Sequence, residues 1–153
     1  MALRGFVLVG GWPGSGKSTL SRVLATEVGL PWLSKDEIKE ALFASLGQPA
    51  SVGESQRLGR AAADVLLRVA RDCPGAVLDS TWYPRVEPMV RELPGPCVEV
   101  RCVVPVEVAR ARYATRLAAR EPGHLDDLRD ECELWGAPVA PVGVGPLVEV
   151  DTT

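Results

Sequence analysis

The stretch from Gly11 to Thr19, GWPGSGKST, has the residue types and the spacing of a loop that binds phosphate groups. It fits the pattern G-x-x-x-x-G-K-[ST], in which Lys17 reaches the terminal phosphates of a nucleotide and the Ser18 hydroxyl is a ligand for Mg²⁺. Glycines let the backbone approach a phosphate closely, and the N–H groups at a helix start attract its negative charge. The predicted phosphate site consists of Gly11, Pro13, Gly14, Ser15, Gly16, Lys17, Ser18 and Thr19.

Two aspartates lie where predicted strands end. Asp36 comes two residues after the extended segment 30–34, where it could orient or deprotonate the hydroxyl group of a phosphate acceptor. The alternative is a helix N-cap, a position that Asp also favours. Asp79 ends the predicted strand 76–79 and would hold Mg²⁺ together with Ser18, although many strands end in Asp with no such role.

Three arginines recur at intervals of four residues, at Arg112, Arg116 and Arg120, and would share one face of a helix. Like charges at this spacing repel, so their presence favours an anionic ligand or acidic neighbours. The alternative is a solvated basic face. Because a Pro-Gly break follows at 122–123, we predict a mobile lid in which Arg116 and Arg120 neutralise the charge on a transferring phosphoryl group.

The loop after Asp79 carries the residues that we expect nearest to an acceptor. Trp82 and Arg85 are predicted to contact the substrate, with burial of Trp82 in the core as the alternative. The single histidine, His124, lies in a glycine turn and is predicted to be at the surface.

The surrounding sequence predicts the elements that position these residues. A short apolar run, 3–9, reads as a buried strand before the glycine loop, and the apolar spacing of 20–28 predicts a helix after it, which disfavours a glycine-rich turn without a ligand. The whole chain alternates as β-α-β-α-α-β-α-β-α-β, which implies an α/β fold with a parallel sheet and helices on both faces. Ligands bind at the carboxyl ends of such strands, where the loop, Asp36 and Asp79 would meet.

Two of the predicted helices are long. One covers about 53–71 with an apolar side of Leu58, Ala62, Val65, Leu66 and Val69, and the other covers about 105–120. A polar segment at 125–135 is predicted as a short helix, 136–146 as a loop and 147–150 as the last strand.

Composition limits the classes of function. The 153 residues fit one domain, and a net charge of −3 with a pI near 5.2 gives no general basic field for nucleic acid. No apolar run approaches the ~20 residues that cross a bilayer, and the first residues lack the pattern of a signal peptide. We therefore expect a cytoplasmic protein without a membrane partner, whose four cysteines are reduced.

Four motifs together carry a family resemblance: GWPGSGKSTL, LSKDEIK, VLDST, and Arg112 with Arg116 ahead of Pro-Gly-His. They resemble the small P-loop kinases also known as AAA-type ATP-binding proteins. This group is similar to the kinase domain of 5′-polynucleotide kinases, to zeta-toxin-like kinases and to chloramphenicol phosphotransferase. The resemblance implies a three-layer P-loop NTPase fold, nucleoside/shikimate-kinase-like, with a five-stranded parallel sheet in the order 2-3-1-4-5.

The resemblance also implies a single kinase domain over 1–153 with a lid around 112–127, ATP with Mg²⁺ as donor, Asp36 as base, and Arg112 and Arg116 as lid residues that contact the nucleotide. Many relatives have Asn where this chain has Trp82, so their acceptor contacts do not transfer. Relatives also commonly continue into a C-terminal helix, so we expect the adenine pocket to be built differently here.

These observations predict an ATP-dependent phosphotransferase that acts on a hydroxyl of a small molecule. A short nucleic acid 5′ end is the alternative acceptor, in a groove near Arg57, Arg60 and Arg85. A nucleoside monophosphate is disfavoured, because the segment around Asp36 offers lysines at 35 and 39 but no arginine clamp. A different function class, an ATP-binding regulatory module acting through a protein partner, would show a flat surface beside Asp36 in place of a closed pocket.

Overall fold

A computed structural model describes residues 4–153 as one five-stranded sheet in the order β2-β3-β1-β4-β5. Every neighbouring pair of strands is parallel. Both the alternation of elements and the strand order 2-3-1-4-5 are confirmed. Residue 3, where the first predicted strand begins, lies outside the described residues. The strands are β1 (Gly5–Gly10), β2 (Trp32–Ser34), β3 (Gly75–Asp79), β4 (Cys97–Val103) and β5 (Leu147–Asp151).

Six α-helices connect the described strands, and none of them is long and apolar enough to cross a membrane. They are α1 (Lys17–Val28), α2 (Lys35–Leu46), α3 (Val52–Ala70), α4 (Glu87–Val90), α5 (Val106–Arg116) and α6 (Glu131–Trp135).

The two faces of the sheet are covered by different helices, which gives the predicted three layers. On one face, Phe6 and Leu8 of β1 pack with Leu66 and Leu67 of α3 and with Val90 of α4. The opposite face packs against α1, through the pair Val9 and Ala25 among others. Strands buried on both faces need apolar residues at successive positions, which is why β1 and β3 read as continuous apolar runs.

The helix α3 buries a stripe that differs from the predicted one. Ala62 and Leu66 are buried as expected, but Val65 and Val69 are about half exposed. The buried stripe consists of Ala62, Ala63, Leu66, Leu67 and Ala70. Small alanines on this stripe let the helix lie close to the sheet, and that preference outweighs the larger apolar area of the two valines.

The predicted long helix ends earlier than expected. The helix α5 stops at Arg116 and continues as a 3-10 turn over Leu117–Ala119. A second 3-10 turn, Pro122–His124, occupies the predicted break. A third, Asp126–Leu128, and the short helix α6 replace the single helix predicted over 125–135. Arg120 therefore lies beyond the helix, and the predicted face shared by three arginines breaks after Arg116.

A buried carboxylate anchors the predicted loop 136–146. Glu99 of β4 is 6% exposed, and its two oxygens accept hydrogen bonds from the backbone N–H groups of Val142, Gly143 and Val144, at 2.8, 2.6 and 3.2 Å. Val142 in turn packs into the core on the α3 side of the sheet. The loop covers this part of the sheet in place of a helix, because one charged side chain satisfies three of its amides.

We predict that Glu99→Leu lowers the free energy of unfolding by about 2–4 kcal/mol, because three buried N–H groups lose their acceptor. Urea denaturation followed by circular dichroism measures this change. Glu149→Gln, on the neighbouring strand β5 and exposed, is the control and should be nearly neutral. Equal stability of the two variants would contradict the anchoring role of Glu99.

Candidate active site

The loop between β1 and α1 has the backbone geometry that phosphate binding needs. Gly14 and Gly16 have φ values of 74° and 90°, in the left-handed region that favours glycine. A Cβ atom at Gly14 would lie 2.5 Å from the carbonyl oxygen of Ala109 in α5. The loop therefore tolerates no side chain at this point, and α5 packs directly on its outer side.

Lys17 begins α1 and extends along this loop. Its Nζ donates to the carbonyl oxygen of Trp12 at 3.4 Å. Burial lowers the pKa of Lys17 to about 8, against the opposing effect of the Asp79 and Asp36 carboxylates. Partial desolvation of this cation strengthens its attraction to a phosphate oxygen.

Asp79 lies at the carboxyl end of β3 and is 3% exposed. Its Oδ2 atom is buried with no hydrogen-bond partner. Burial raises the pKa of Asp79, whereas Lys17 and the Ser18 hydroxyl lower it. An orphaned carboxylate oxygen beside a serine hydroxyl is a set of hard oxygen donors, and this set fits Mg²⁺.

Asp36 is the second residue of α2 and pairs with two cations. Its oxygens lie 2.7 Å from Lys35 Nζ and 2.9 Å from Arg120 Nη2. Burial alone would raise the pKa of Asp36, but these two cations hold it well below 3.8. The N-cap alternative is wrong, since Ser34 caps α2 by accepting from Glu37 N at 3.4 Å.

Arg120 is held by three groups at once. Besides Asp36, its Nε lies 2.5 Å from Asp126 Oδ2 and its Nη2 lies 3.1 Å from His124 Nδ1. An arginine only donates, so His124 Nδ1 is the acceptor, and the imidazole carries its proton on Nε2, where it donates to Glu40 Oε1 at 2.8 Å. A chain of contacts thus runs from α2 through the lid and back to α2.

His124 is buried, contrary to the surface position predicted for it. It is 2% exposed, it packs edge-on against Phe43, and the carbonyl oxygens of Gly123 and His124 accept from Ser55 Oγ. Burial and the Arg120 charge lower the pKa of His124 to about 3, so the ring is neutral. The glycine turn suggested exposure, but only the folded chain brings Arg120 and Glu40 to the ring.

The other two lid arginines differ in their contacts. Arg116 lies over the ring of Tyr113, and its Nε is buried without a hydrogen-bond partner. Arg112 Nη1 donates to the carbonyl oxygen of Thr152 at 2.8 Å, close to Gly16. Arg116 is therefore available to a ligand, whereas Arg112 joins the phosphate loop region to the end of the chain.

Trp82 and Arg85 lie in the loop after β3, as expected. Trp82 is 4% exposed and donates through Nε1 to the carbonyl oxygen of Leu78 at 3.1 Å, so most of it belongs to the core. Arg85 pairs with Asp64 of α3 at 3.5 Å. Both residues contribute to the wall of the cavity described next.

A cavity of about 490 Å³ lies at the carboxyl ends of the strands, between the phosphate loop, α2, α3, the loop after β3 and the lid. Most predicted site residues that carry a charged or aromatic side chain line this cavity, together with Pro13 and Ser18. The predicted residues that do not line it are Ser15, Thr19, Arg112 and the loop glycines. Those that line it are Pro13, Lys17, Ser18, Asp36, Asp79, Trp82, Arg85, Arg116 and Arg120.

Several lining residues were not assigned to the site from the sequence. Lys39 and Arg129 add positive charge, and Asp126 and Glu133 add negative charge. Lys39 follows Asp36 by one helical turn, a spacing that places both on one side of α2 and could have identified it. No comparable local pattern points to Arg129, because the irregular lid brings it to the cavity.

Three aromatic rings join the phosphate loop, α5 and α6. Trp12 and Tyr113 both contact Trp135 of α6 edge-on, with ring centroids 6.2 and 5.6 Å apart. The Tyr113 hydroxyl also donates to the carbonyl oxygen of Asp126 at 3.1 Å. The position of α6 is therefore coupled to that of the phosphate loop.

Comparison with known proteins places these features in a family. The AAA domain family matches this chain over residues 6–134. An uncharacterised protein of Mycobacterium tuberculosis is 36% identical over 135 aligned residues, covering 78% of this chain. The alignment covers 26% of that protein, so the chain spans about a quarter of the length of the curated relatives it matches.

Solved structures share the fold. A candidate kinase of Chloroflexus aurantiacus has a TM-score of 0.84 at 32% identity, covering 98% of this chain and 89% of that one. A gluconokinase of Sinorhizobium meliloti has a TM-score of 0.62 at 20% identity, covering 100% of this chain and 85% of the other. The likeness to small P-loop kinases that the sequence motifs predict is confirmed.

The buried neutral His124 makes stability depend on pH. The pKa of His124 in the folded protein is about 3, against an ordinary value of 6.5. As the pH falls below 6.5, the histidine of the unfolded chain is protonated whereas that of the folded chain stays neutral, so the unfolded state is favoured. We expect the stability of the native protein relative to His124→Gln to fall by up to about 1.4 kcal/mol per pH unit below pH 6. Urea denaturation of both proteins between pH 7.5 and 4.5 tests this, and parallel curves would contradict it.

Proposed function

This chain belongs to the AAA domain family, and on that premise we propose that it is an ATP-dependent kinase that phosphorylates a hydroxyl group of a small molecule. The observation that carries the proposal is the convergence on one cavity of Lys17, the Ser18–Asp79 pair and Asp36. Lys17, Ser18 and Asp79 suit the phosphates of a nucleotide and its Mg²⁺, and Asp36 suits the hydroxyl group of an acceptor.

On the donor side, the loop amides and Lys17 would bind the β- and γ-phosphates of ATP. Arg116 has a buried guanidinium nitrogen without a partner and lines the same cavity, so it would stabilise the charge that spreads over the transferring phosphoryl group. Ser18 and Asp79 would hold Mg²⁺, which supplies charge neutralisation at the phosphates when bound. Arg112 would support the nucleotide site from behind the loop.

On the acceptor side, Asp36 would accept a hydrogen bond from the substrate hydroxyl and take its proton. The acceptor oxygen forms a bond to the γ-phosphorus as the bond to the bridging oxygen breaks, which leaves ADP and a phosphate ester. Because the pKa of Asp36 is low, this carboxylate is a weak base. Its larger contribution is therefore to orient the substrate hydroxyl group toward the γ-phosphorus. Lys35 and Arg120 fix the carboxylate, and each oxygen keeps a lone pair for the substrate.

A small acceptor suits the size of the cavity. The whole cavity, donor side included, measures about 490 Å³, which is within the range of small-molecule sites, and beside Asp36 it is lined by residues of α2, α3 and Trp82. The gluconokinase among the similar structures is named for a small hydroxylated acid, which is consistent with this class. A nucleic acid 5′ end is the less favoured acceptor, because the chain has a net charge of −3.

A regulatory module that acts through a protein partner would present a flat surface beside Asp36. The concave cavity favours a phosphotransferase over this alternative. A single kinase domain over 1–153, a lid at 112–127 and a cytoplasmic location stay predictions.

The test of the proposal is a transfer screen with γ-labelled ATP and Mg²⁺ against pools of sugars, hydroxy acids, nucleosides, antibiotics and oligonucleotide 5′ ends. We expect label on a small-molecule pool, and no label with Lys17→Ala. ATP binding without transfer to any pool would support the regulatory module in its place.

We predict that Asp36→Asn lowers kcat by roughly 10²- to 10⁴-fold, because the substrate hydroxyl group loses the carboxylate that accepts its hydrogen bond and takes its proton. The affinity for ATP, measured by isothermal titration calorimetry, should change little. Glu37→Gln, the exposed neighbouring carboxylate, is the control and should retain full activity. Unchanged turnover in Asp36→Asn would refute the role of Asp36.

We also predict that Arg116→Ala lowers kcat by roughly 10³-fold, the magnitude typical of an arginine at a transferring phosphoryl group. Arg110→Ala is the matched control on α5, since Arg110 is exposed and pairs with Glu131. Initial rates at saturating ATP distinguish the two variants. Similar rates for both would assign Arg116 a role in packing on Tyr113 alone.

A further inference from the structure

We propose that Lys39 forms an anion-binding subsite beside Asp36, and that the phosphate acceptor is a small hydroxylated anion whose carboxylate or phosphate group binds there. The second part rests on the proposed kinase function, whereas the subsite itself does not.

The position of Lys39 defines the subsite. It lies on α2 three residues after Asp36, and residues at this spacing are neighbours on a helix face, with Cβ atoms about 5–6 Å apart. The residue is 3% exposed yet lines the cavity. An anion bound to its amine would therefore lie within a few bonds of a hydroxyl group held by Asp36.

The end of the Lys39 side chain lies between an aromatic ring and a glycine. The Nζ atom lies 5.5 Å from the centroid of the Phe43 ring on the same helix. On the other side is Gly59 of α3, where even a Cβ atom would come within 3.6 Å of the Nζ. An aromatic ring and a glycine confine the side chain without offering a hydrogen-bond acceptor.

Among residues 4–153, Lys39 has the Phe43 ring beside it but no hydrogen-bond or ion-pair partner, unlike the neighbouring cations. Lys35 and Arg120 pair with Asp36, and Arg129 pairs with Glu133 at 2.5 Å. Burial of an ammonium group without a compensating anion is costly, and proteins keep such groups mainly where a ligand supplies the opposite charge. Burial and the Lys35 charge lower the pKa of Lys39 to about 8, which leaves it mostly charged at pH 7.

The charge of the whole cavity agrees with an anionic acceptor. Eight lysines and arginines line it, against four carboxylates. Asp79, Lys17 and Arg116 belong to the donor side, whereas Lys39, Arg129 and Arg60 lie around the acceptor side. Positive charge thus remains near Asp36 after the nucleotide phosphates are accounted for.

The subsite is tested first with inorganic phosphate as the probe. Isothermal titration calorimetry is carried out with Mg²⁺ and a saturating non-hydrolysable ATP analogue, and in parallel with the Lys17→Met protein without nucleotide, so that the phosphate loop is occupied or disabled. We expect one phosphate to bind, at least tenfold more weakly in Lys39→Met and with near-native affinity in Lys39→Arg. Arg57→Gln, an exposed cation on α3 outside the cavity, is the control.

The stability of Lys39→Met separates a binding role from a structural one. Removal of an unpartnered buried charge should leave the thermal midpoint unchanged or raise it. A lower midpoint, no phosphate binding, or equal binding by native protein and Lys39→Met would each overturn the subsite.

A second measurement identifies the anion on the acceptor and compares glucose, gluconate and glucose 6-phosphate in binding and transfer. We expect the native protein to prefer a charged member of this set, carboxylate or phosphate, at least tenfold over glucose, and Lys39→Met to lose that preference through a higher KM at similar kcat. Transfer to glucose as efficient as to both anions would overturn the anionic acceptor and leave the kinase function standing. Anion binding that depends on Lys39, with no transfer in the wider screen, would support the subsite and overturn the kinase function.

Discussion

The ion pair between Asp36 and Arg120 joins the fixed part of the site to the lid. Asp36 belongs to α2, which is packed against α3, and Arg120 belongs to the irregular segment after α5. The same arginine contacts Asp126 and His124, so one guanidinium group orders three turns of the lid. The low pKa of Asp36 and the neutral state of His124 both depend in part on this guanidinium group.

The sequence predicted the parts of the protein that local patterns determine. The strand, glycine loop and helix around Lys17, and the carboxylates just after β2 and at the end of β3, have signals within a few residues. The strand order came from the family resemblance that these motifs carry. The arginine spacing and the Pro-Gly break predicted a lid segment but not its internal structure. Arg120 lies beyond α5 and pairs with Asp36, which is 84 residues away in the chain. For the same reason the burial of His124 and the position of Arg129 could not be inferred from spacing.

Three charged side chains in this fold have different degrees of compensation. Glu99 has three backbone amides and serves to hold a loop, whereas Asp36 has two cations and keeps lone pairs for another molecule. Lys39 makes no hydrogen bond or ion pair among the described residues and lies over the ring of Phe43. The two residues with less compensation, Asp36 and Lys39, are the ones that line the cavity, which is typical of a site that gives up stability for binding.

The contact between Trp12 and Trp135 gives the protein an intrinsic optical probe. Of the four tryptophans, Trp32 donates to Ser21 and Trp82 donates to Leu78, so the indole rings of both are fixed by hydrogen bonds within the sheet layers. Trp12 and Trp135 instead touch each other across the junction of the phosphate loop and α6, 6.2 Å apart. Any displacement of α6 changes the solvent around both indoles, so fluorescence emission of the unlabelled protein reports movement of α6 against the phosphate loop.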